Sequence, residues 1–228
     1  MGAPEVFPIG LGFVRAFLVR GTRDVLVDAG TRGSGARLRA ALARLGTGLD
    51  RLSLVVITHG HLDHVGGLAE IATSLACPIA VHRDDADALR TGRQRSSTPV
   101  SRLFAILMLL APRRSAASSP PGVDAGILLG NTFDLAPYGV DGTVESTAGH
   151  TAGSVSLFLA SGEVIVGDAL RGAIGRPSAP QWPFVVEDFE ENRRSVERVL
   201  ARRPSKIWTA HGGPLAPEAA RQFADNRR

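Results

Sequence analysis

An α/β fold is predicted by three features of this 228-residue sequence. Short β-branched apolar runs, of which Leu52-Ser53-Leu54-Val55-Val56-Ile57 is the clearest, read as strands buried on both faces. Stretches with apolar residues at helical spacing stand between such runs, at residues 37–45 and 189–202. The third feature is positional: aspartates and histidines recur where strand-like runs end.

Length and composition narrow the class. The chain is long enough for one large α/β domain or two small ones with a full core, and its 44% hydrophobic content is that of a globular protein. The net charge of +4 comes almost wholly from arginine, since Lys206 is the only lysine. Those arginines are scattered, and no basic stretch alternates with aromatics. The charge therefore reads as a solvated surface and argues against a nucleic-acid partner. A single cysteine, Cys77, excludes an internal disulfide framework and a thiolate-rich zinc site, and fits a reducing compartment. The start Met1-Gly2-Ala3-Pro4-Glu5 lacks a basic region followed by an apolar run, so a cytoplasmic location is expected.

Residues 13–19 and 24–28 form two strand-like runs around Arg20-Gly21-Thr22-Arg23, a hairpin by its glycine and spacing, with Asp28 at the tip of the second. Residues 37–45 make a packing helix that stops at Gly46. The strand at 52–57 delivers Thr58-His59-Gly60-His61-Leu62-Asp63-His64, and a helix opened by His64 is expected to run on through residues 66–72. Residues 77–82 read as a strand ending in His82, which has no companion ligand and reads as a surface or structural histidine.

From about residue 90 to 123 the pattern breaks. Arginines bracket the apolar run 103–111, and a Ser/Pro-rich stretch at 115–121 closes it. That run is far shorter than the roughly 20 residues that span a bilayer, so no transmembrane segment is expected. A lid over a pocket, a homodimer contact and a helix on a membrane surface all remain open for it. The second half repeats the scheme: residues 142–147 lead to His150, residues 154–159 form the next strand, 163–167 carry Asp168, and 206–210 carry His211. Residues 189–202 run from acidic to basic, oriented well for a helix dipole.

In an extended segment alternate residues share a face, so His59 and His61 can converge on one point, while Asp63 and His64 in a first helical turn can face a second. Imidazole and carboxylate suit zinc and related ions, which hold them at roughly 2.0–2.2 Å. With Gly149-His150-Thr151-Ala152-Gly153-Ser154, Gly167-Asp168 and Ala210-His211-Gly212 following in order, the sequence resembles the metallo-β-lactamase fold superfamily from Phe13 to Pro214.

The resemblance implies a single four-layer αββα sandwich over residues 1–228, with the variable segment near 90–123 at the mouth of the site. It implies that His59, His61 and His150 hold one metal, that Asp63, His64 and His211 hold a second, that Asp168 bridges them, and that Asp28 lies behind the site. Two Zn2+ ions per chain are expected, with iron or manganese as alternatives. Two such ions about 3.5–4 Å apart would share a hydroxide that attacks a small-molecule ester, thioester or lactone, with Asp63 as the catalytic group that orients it and takes its proton.

Alternatives of other kinds stay open: a phosphodiesterase or nuclease, a mononuclear iron persulfide dioxygenase, and a module with structural zinc. The β-lactamases of the superfamily have cysteine or serine where this chain has Asp168, which disfavours that activity. The lactonases have a tyrosine where this chain has Arg171, a residue able to clamp a substrate carboxylate or phosphate.

Overall fold

The structure, a computed structural model, describes residues 2–94, 96–101 and 122–226. The apolar run at 103–111 therefore lies outside the described residues. Among the described residues the chain builds a six-stranded and a five-stranded sheet with two short two-stranded ribbons. The first sheet runs in the order Glu5–Gly10, Arg15–Arg20, Asp24–Val27, Leu52–Val56, Ile79–His82, Ile127–Leu129. Its first three strands are antiparallel neighbours, and from Asp24–Val27 onward the pairing is parallel. The second runs Lys206–Trp208, Glu163–Ile165, Val155–Leu159, Gly142–Ser146, Thr132–Asp134, parallel in the first pair and antiparallel in the rest.

The layers follow from the two-residue period of the strands. Phe17, Val19, Val25, Val27, Leu54 and Val56 point inward and meet Val144, Leu157, Ile165 and Trp208 of the other sheet in one core. Their alternates Leu18, Leu26, Val55 and Ile57 point outward, where Leu38, Leu42, Leu68 and Ile71 of helical segments cover them. On the far side Val164, Val166 and Ile207 pack under Val196, Val199, Leu200, Ala220 and Ala224 of two helices. The central strands of the first sheet are thus buried on both faces, which is why they read as nearly unbroken apolar runs. Truncating a fully buried residue such as Leu54 to alanine is expected to cost about 2–5 kcal/mol.

The hairpin expected near residue 21 is present, with Arg20 opposite Asp24 and an ion pair of 3.1 Å between them. The helix Phe189–Ala201 begins at Asp188, whose carboxylate accepts the Glu191 N–H at 2.9 Å. Three differences from the sequence reading have physical causes. The edge strand Glu5–Gly10 was not expected, since Pro8 and Gly10 dilute its pattern. The expected hairpin strand over 13–19 starts only at Arg15. The helix after His64 does not run on: Leu62–Val65 and Leu68–Ile71 are separate single turns broken at Gly66-Gly67. A Cβ on Gly66 would stand 2.4 Å from Leu62 O and 2.5 Å from Arg32 N, so the Thr31-Arg32 loop closes onto bare backbone there. Among the described residues, no helix is long and apolar enough to cross a membrane.

Candidate metal centre

Four strands deliver the candidate ligands from their C-terminal ends and a fifth delivers Asp28 behind them, and all five ends open on one edge of the sandwich. Asp24–Val27 ends at Asp28, Leu52–Val56 at the His59-His64 segment, Gly142–Ser146 at the His150 turn, Glu163–Ile165 at Asp168 and Lys206–Trp208 at His211. Between the sheets, the Val155 N–H donates to Thr58 O at 2.8 Å and the Arg15 N–H to Ala210 O at 2.9 Å, which fixes the two halves of the edge together.

Three ring nitrogens converge first. His150 Nε2 lies 3.1 Å from His59 Nε2 and 2.9 Å from His61 Nδ1, and the latter two are 3.2 Å apart. Tetrahedral ligands at zinc-like bond lengths stand roughly 3.3 Å from one another, so the triangle has the right size for one ion. Beside it, His211 Nε2 is 3.1 Å from Asp63 Oδ2 and 3.3 Å from Asp168 Oδ2, and His64 Nε2 is 3.6 Å from Asp168 Oδ1. Asp168 Oδ2 also stands 3.7 Å from His150 Nε2, so this carboxylate touches both groups. The His/Asp sets His59-His61-His150, His59-His64-Asp168 and Asp63-His64-His211 are each close enough to surround a cation.

Hydrogen bonds behind the site fix which nitrogen faces inward. His64 Nδ1 donates to Asp28 Oδ2 at 2.7 Å, His150 Nδ1 to Val185 O at 2.9 Å and His211 Nδ1 to Phe13 O at 3.0 Å. Thr58 gives its hydroxyl proton to Asp28 Oδ2 at 2.8 Å and so accepts from His59 Nδ1 at 3.1 Å. Asp28 also takes the Thr58 N–H at 2.8 Å, and these bonds hold it at a φ of 62°, a conformation rarely adopted by a residue with a side chain. The consequence is chemical. His59 and His150 both turn unprotonated Nε2 lone pairs to each other, while among the described residues the buried His64 Nε2 and Asp168 Oδ1, 3.6 Å apart, have no hydrogen-bond partner. The buried lone pairs of His59 and His150, turned to each other, fit a cation between them.

The electrostatics divide the same residues. Burial pushes the His59 imidazole well below its ordinary range, with the neighbouring histidines adding to it, and lowers His61 as well. Burial takes His150 down to about 3 despite the pull of Asp168. For His64 burial works downward too, yet Asp28 and Asp168 outweigh it and raise the ring well above its ordinary value. His211 is raised to about 10, since Asp168 and the bond to Asp63 overcome its burial. Burial would lift Asp63, but the His211 hydrogen bond and the His64 charge bring it to about 2.

The structure brings all seven expected ligands to one edge. Asp28, expected behind the site, bonds directly to His64. Arg171 is placed differently from a free clamp. It is buried, and three of its five N–H donors go to Trp182 O, Gly172 O and Gln181 Oε1, with the guanidinium 3.7 Å above the Phe184 ring. His82, read as a surface or structural histidine, is buried and accepts the Asp84 N–H at 3.3 Å. Sequence reasoning missed Phe13, whose exposed ring stacks on His211 at 5.7 Å, and Arg15, whose Nη1 donates to Gly212 O and to Gly213 O. It also missed Asp85, which bonds to Gly60 and Thr151. Nothing in the local spacing marks these three, because their partners are far away in sequence.

Comparison with known proteins agrees with this geometry. A family model described as the metallo-beta-lactamase superfamily matches residues 9–211. The chain is 28% identical over 211 residues to the probable metallo-hydrolase YflN of Bacillus subtilis, covering 84% of this chain and 76% of that one. It is 27% identical over 202 residues to the probable metallo-hydrolase MJ0888 of Methanocaldococcus jannaschii, covering 86% of each. Among solved structures, the metallo-beta-lactamase family protein TTHA1429 of Thermus thermophilus superposes with a TM-score of 0.69 at 23% identity, over 99% of this chain and 79% of its own, a likeness of fold.

Proposed function

Because the chain belongs to the metallo-beta-lactamase superfamily, we propose that it is a metal-dependent hydrolase with two adjacent metal positions, acting on a small ester, thioester or lactone. The observation that carries this reading is the pair of His/Asp groups joined by Asp168, with ring nitrogens 2.9–3.2 Å apart on one side and Asp63, His64 and His211 on the other. In this reading His59, His61 and His150 hold one ion, Asp63, His64 and His211 the other, and Asp168 both. The donor set is nitrogen and oxygen without sulfur, which suits zinc, with iron or manganese as substitutes.

The chemistry such ions supply when bound is Lewis acidity, which polarises a carbonyl and acidifies water. The chain's own residues do the rest. The strand-end bonds from Nδ1 to Asp28, Val185 O and Phe13 O hold the His64, His150 and His211 rings so that each already turns Nε2 to the site without rotating. Asp63 is ionised at neutral pH and partly exposed, and takes the proton of the attacking water at Oδ2. The water oxygen bonds to the acyl carbon, the bond to the leaving oxygen or sulfur breaks, and that proton passes to the departing atom. In this reading water attacks directly, without a covalent enzyme intermediate. The exposed Phe13 ring beside His211 supports a substrate with an apolar part.

The test is elemental analysis of the purified protein together with thioester, lactone, phosphodiester and cephalosporin substrates. Two equivalents of zinc with turnover of an acyl substrate are expected. One equivalent of iron with no hydrolysis would overturn the reading in favour of oxidative chemistry.

A further inference from the structure

Asp85 is a buried carboxylate that the chemistry above does not use. It closes the single turn Arg83–Asp85 after the strand Ile79–His82 and is 1% exposed. Aspartate is rarely buried so fully unless it is paired. Standing just before the helix Ala86–Thr91, it occupies a capping position, yet its side chain makes no capping hydrogen bond there. Both of its hydrogen bonds point away from that helix: Oδ2 accepts the Gly60 N–H at 2.7 Å and the Thr151 hydroxyl at 2.7 Å.

Those two donors are informative. Gly60 is the residue between His59 and His61, and Thr151 is the residue after His150. One carboxylate oxygen thus joins the two loops that carry the three converging imidazoles. The contact is close: a Cβ on Gly153, in the His150 loop, would meet Asp85 Cγ at 2.5 Å, so that loop lies directly on the carboxylate. Gln94 Nε2 donates to Gly60 O at 3.0 Å and braces the same peptide from its other end. Among the described residues the buried Asp85 Oδ1 has no hydrogen-bond partner, so both contacts of this carboxylate converge on Oδ2.

We propose that Asp85 is a positioning residue for the three-histidine cluster, setting the spacing of His59, His61 and His150 by tying their two loops to a third element. This rests on the reading of those histidines as metal ligands. Losing such an outer partner typically weakens metal affinity about 10–100-fold.

The experiment is cobalt(II) titration of the full chain after chelator treatment, followed by visible absorption and by competition with a chelator of known affinity. The D85A variant should bind cobalt at the nitrogen-rich position about 10–100-fold more weakly than wild type, with a changed absorption spectrum, while the second equivalent is little affected. D85N keeps an oxygen where Oδ2 stands and should recover most of that loss. T151V removes one of the two donors at nearly constant volume and should fall between D85N and D85A. Wild-type cobalt affinity in D85A would overturn the proposal, as would D85N as weak as D85A, which would point to charge and not to the tie. Should D85A fail to fold by circular dichroism, T151V decides, and unchanged cobalt affinity in it is the overturning result. A wild-type chain that takes up no cobalt would instead overturn the metal reading itself, and this proposal with it.

Discussion

His59, His61 and His150 face one another as three neutral rings, with Asp168 at their margin 3.7 Å from His150. A few ångströms away His64 and His211 stand among Asp28, Asp63 and Asp168 and hold their protons far more tightly. The same side chain is thus driven in opposite directions by its neighbours: desolvation alone disfavours the charged ring, while an adjacent carboxylate favours it. For cation binding the difference has a direct meaning. At neutral pH the first group offers free lone pairs, whereas the second must release protons as an ion enters, so its affinity should fall more steeply with acid.

The bluntest way to break the comparison is H61A, which removes one corner of the nitrogen triangle. Hydrolysis is expected to vanish while circular dichroism stays unchanged, a loss larger than the roughly 10–100-fold that an outer partner costs. Activity retained at wild-type level would remove His61 from the site. Next comes D28N, which leaves the His64 Nδ1–H a weaker, neutral acceptor. About 10–100-fold weaker binding of the second metal equivalent is expected, with a smaller effect on the first, which Asp28 reaches only through the Thr58 hydroxyl and His59, measured by metal competition. Equal weakening of both equivalents would mean that the two groups are not separable.

The comparison can be sharpened with pH, using thermal unfolding of metal-free protein. His150 has a folded value of about 3 against roughly 6.5 unfolded, so the unfolded chain binds more protons between these values and stability falls as pH drops through that window. His211, at about 10 when folded, does the reverse: its contribution is complete below roughly 6.5 and is lost as pH rises toward 10. The metal-free melting temperature should decline on both sides of about pH 6.5. H211Q should flatten the alkaline limb and leave the acid limb in place, and an unchanged alkaline limb would refute the assignment. The smallest effect is expected from F13A, which removes an exposed ring stacked on His211 but leaves the Phe13 carbonyl in place. A few-fold change in KM with kcat nearly constant is anticipated from the roughly 0.5–1.5 kcal/mol of an aromatic pair. A large fall in kcat would show the ring acting on the chemistry.

Much of this arrangement could be read from the chain alone, and the limits are instructive. The strands around Leu54, Ile165 and Ile207 were legible because burial on both faces leaves a continuous apolar signature, and the ligands because they follow those strands immediately. The strand Glu5–Gly10 was not, since at an edge only its pairing with Arg15–Arg20 defines it. Nor was the break at Gly66-Gly67, where the close approach of Ala29 and Thr31 decides the backbone. Asp28 carried a hint of its role in its place at a strand end. Asp85 and Arg15 carried none, because their partners come from other loops. Arg171 shows the converse: its position suggested a ligand contact, and its donors largely serve neighbouring residues.

Ligand delivery from both sheets has one more consequence. Neither sheet alone carries a full set of donors, since His59, His61 and His64 come from one and His150, Asp168 and His211 from the other. An ion held there would act as a rivet through the seam, and its binding energy would add to the cohesion of the Phe17, Leu157 and Trp208 interior. Occupancy could then be followed far from the cleft, as slowed amide exchange along Leu52–Val56 and Val155–Leu159.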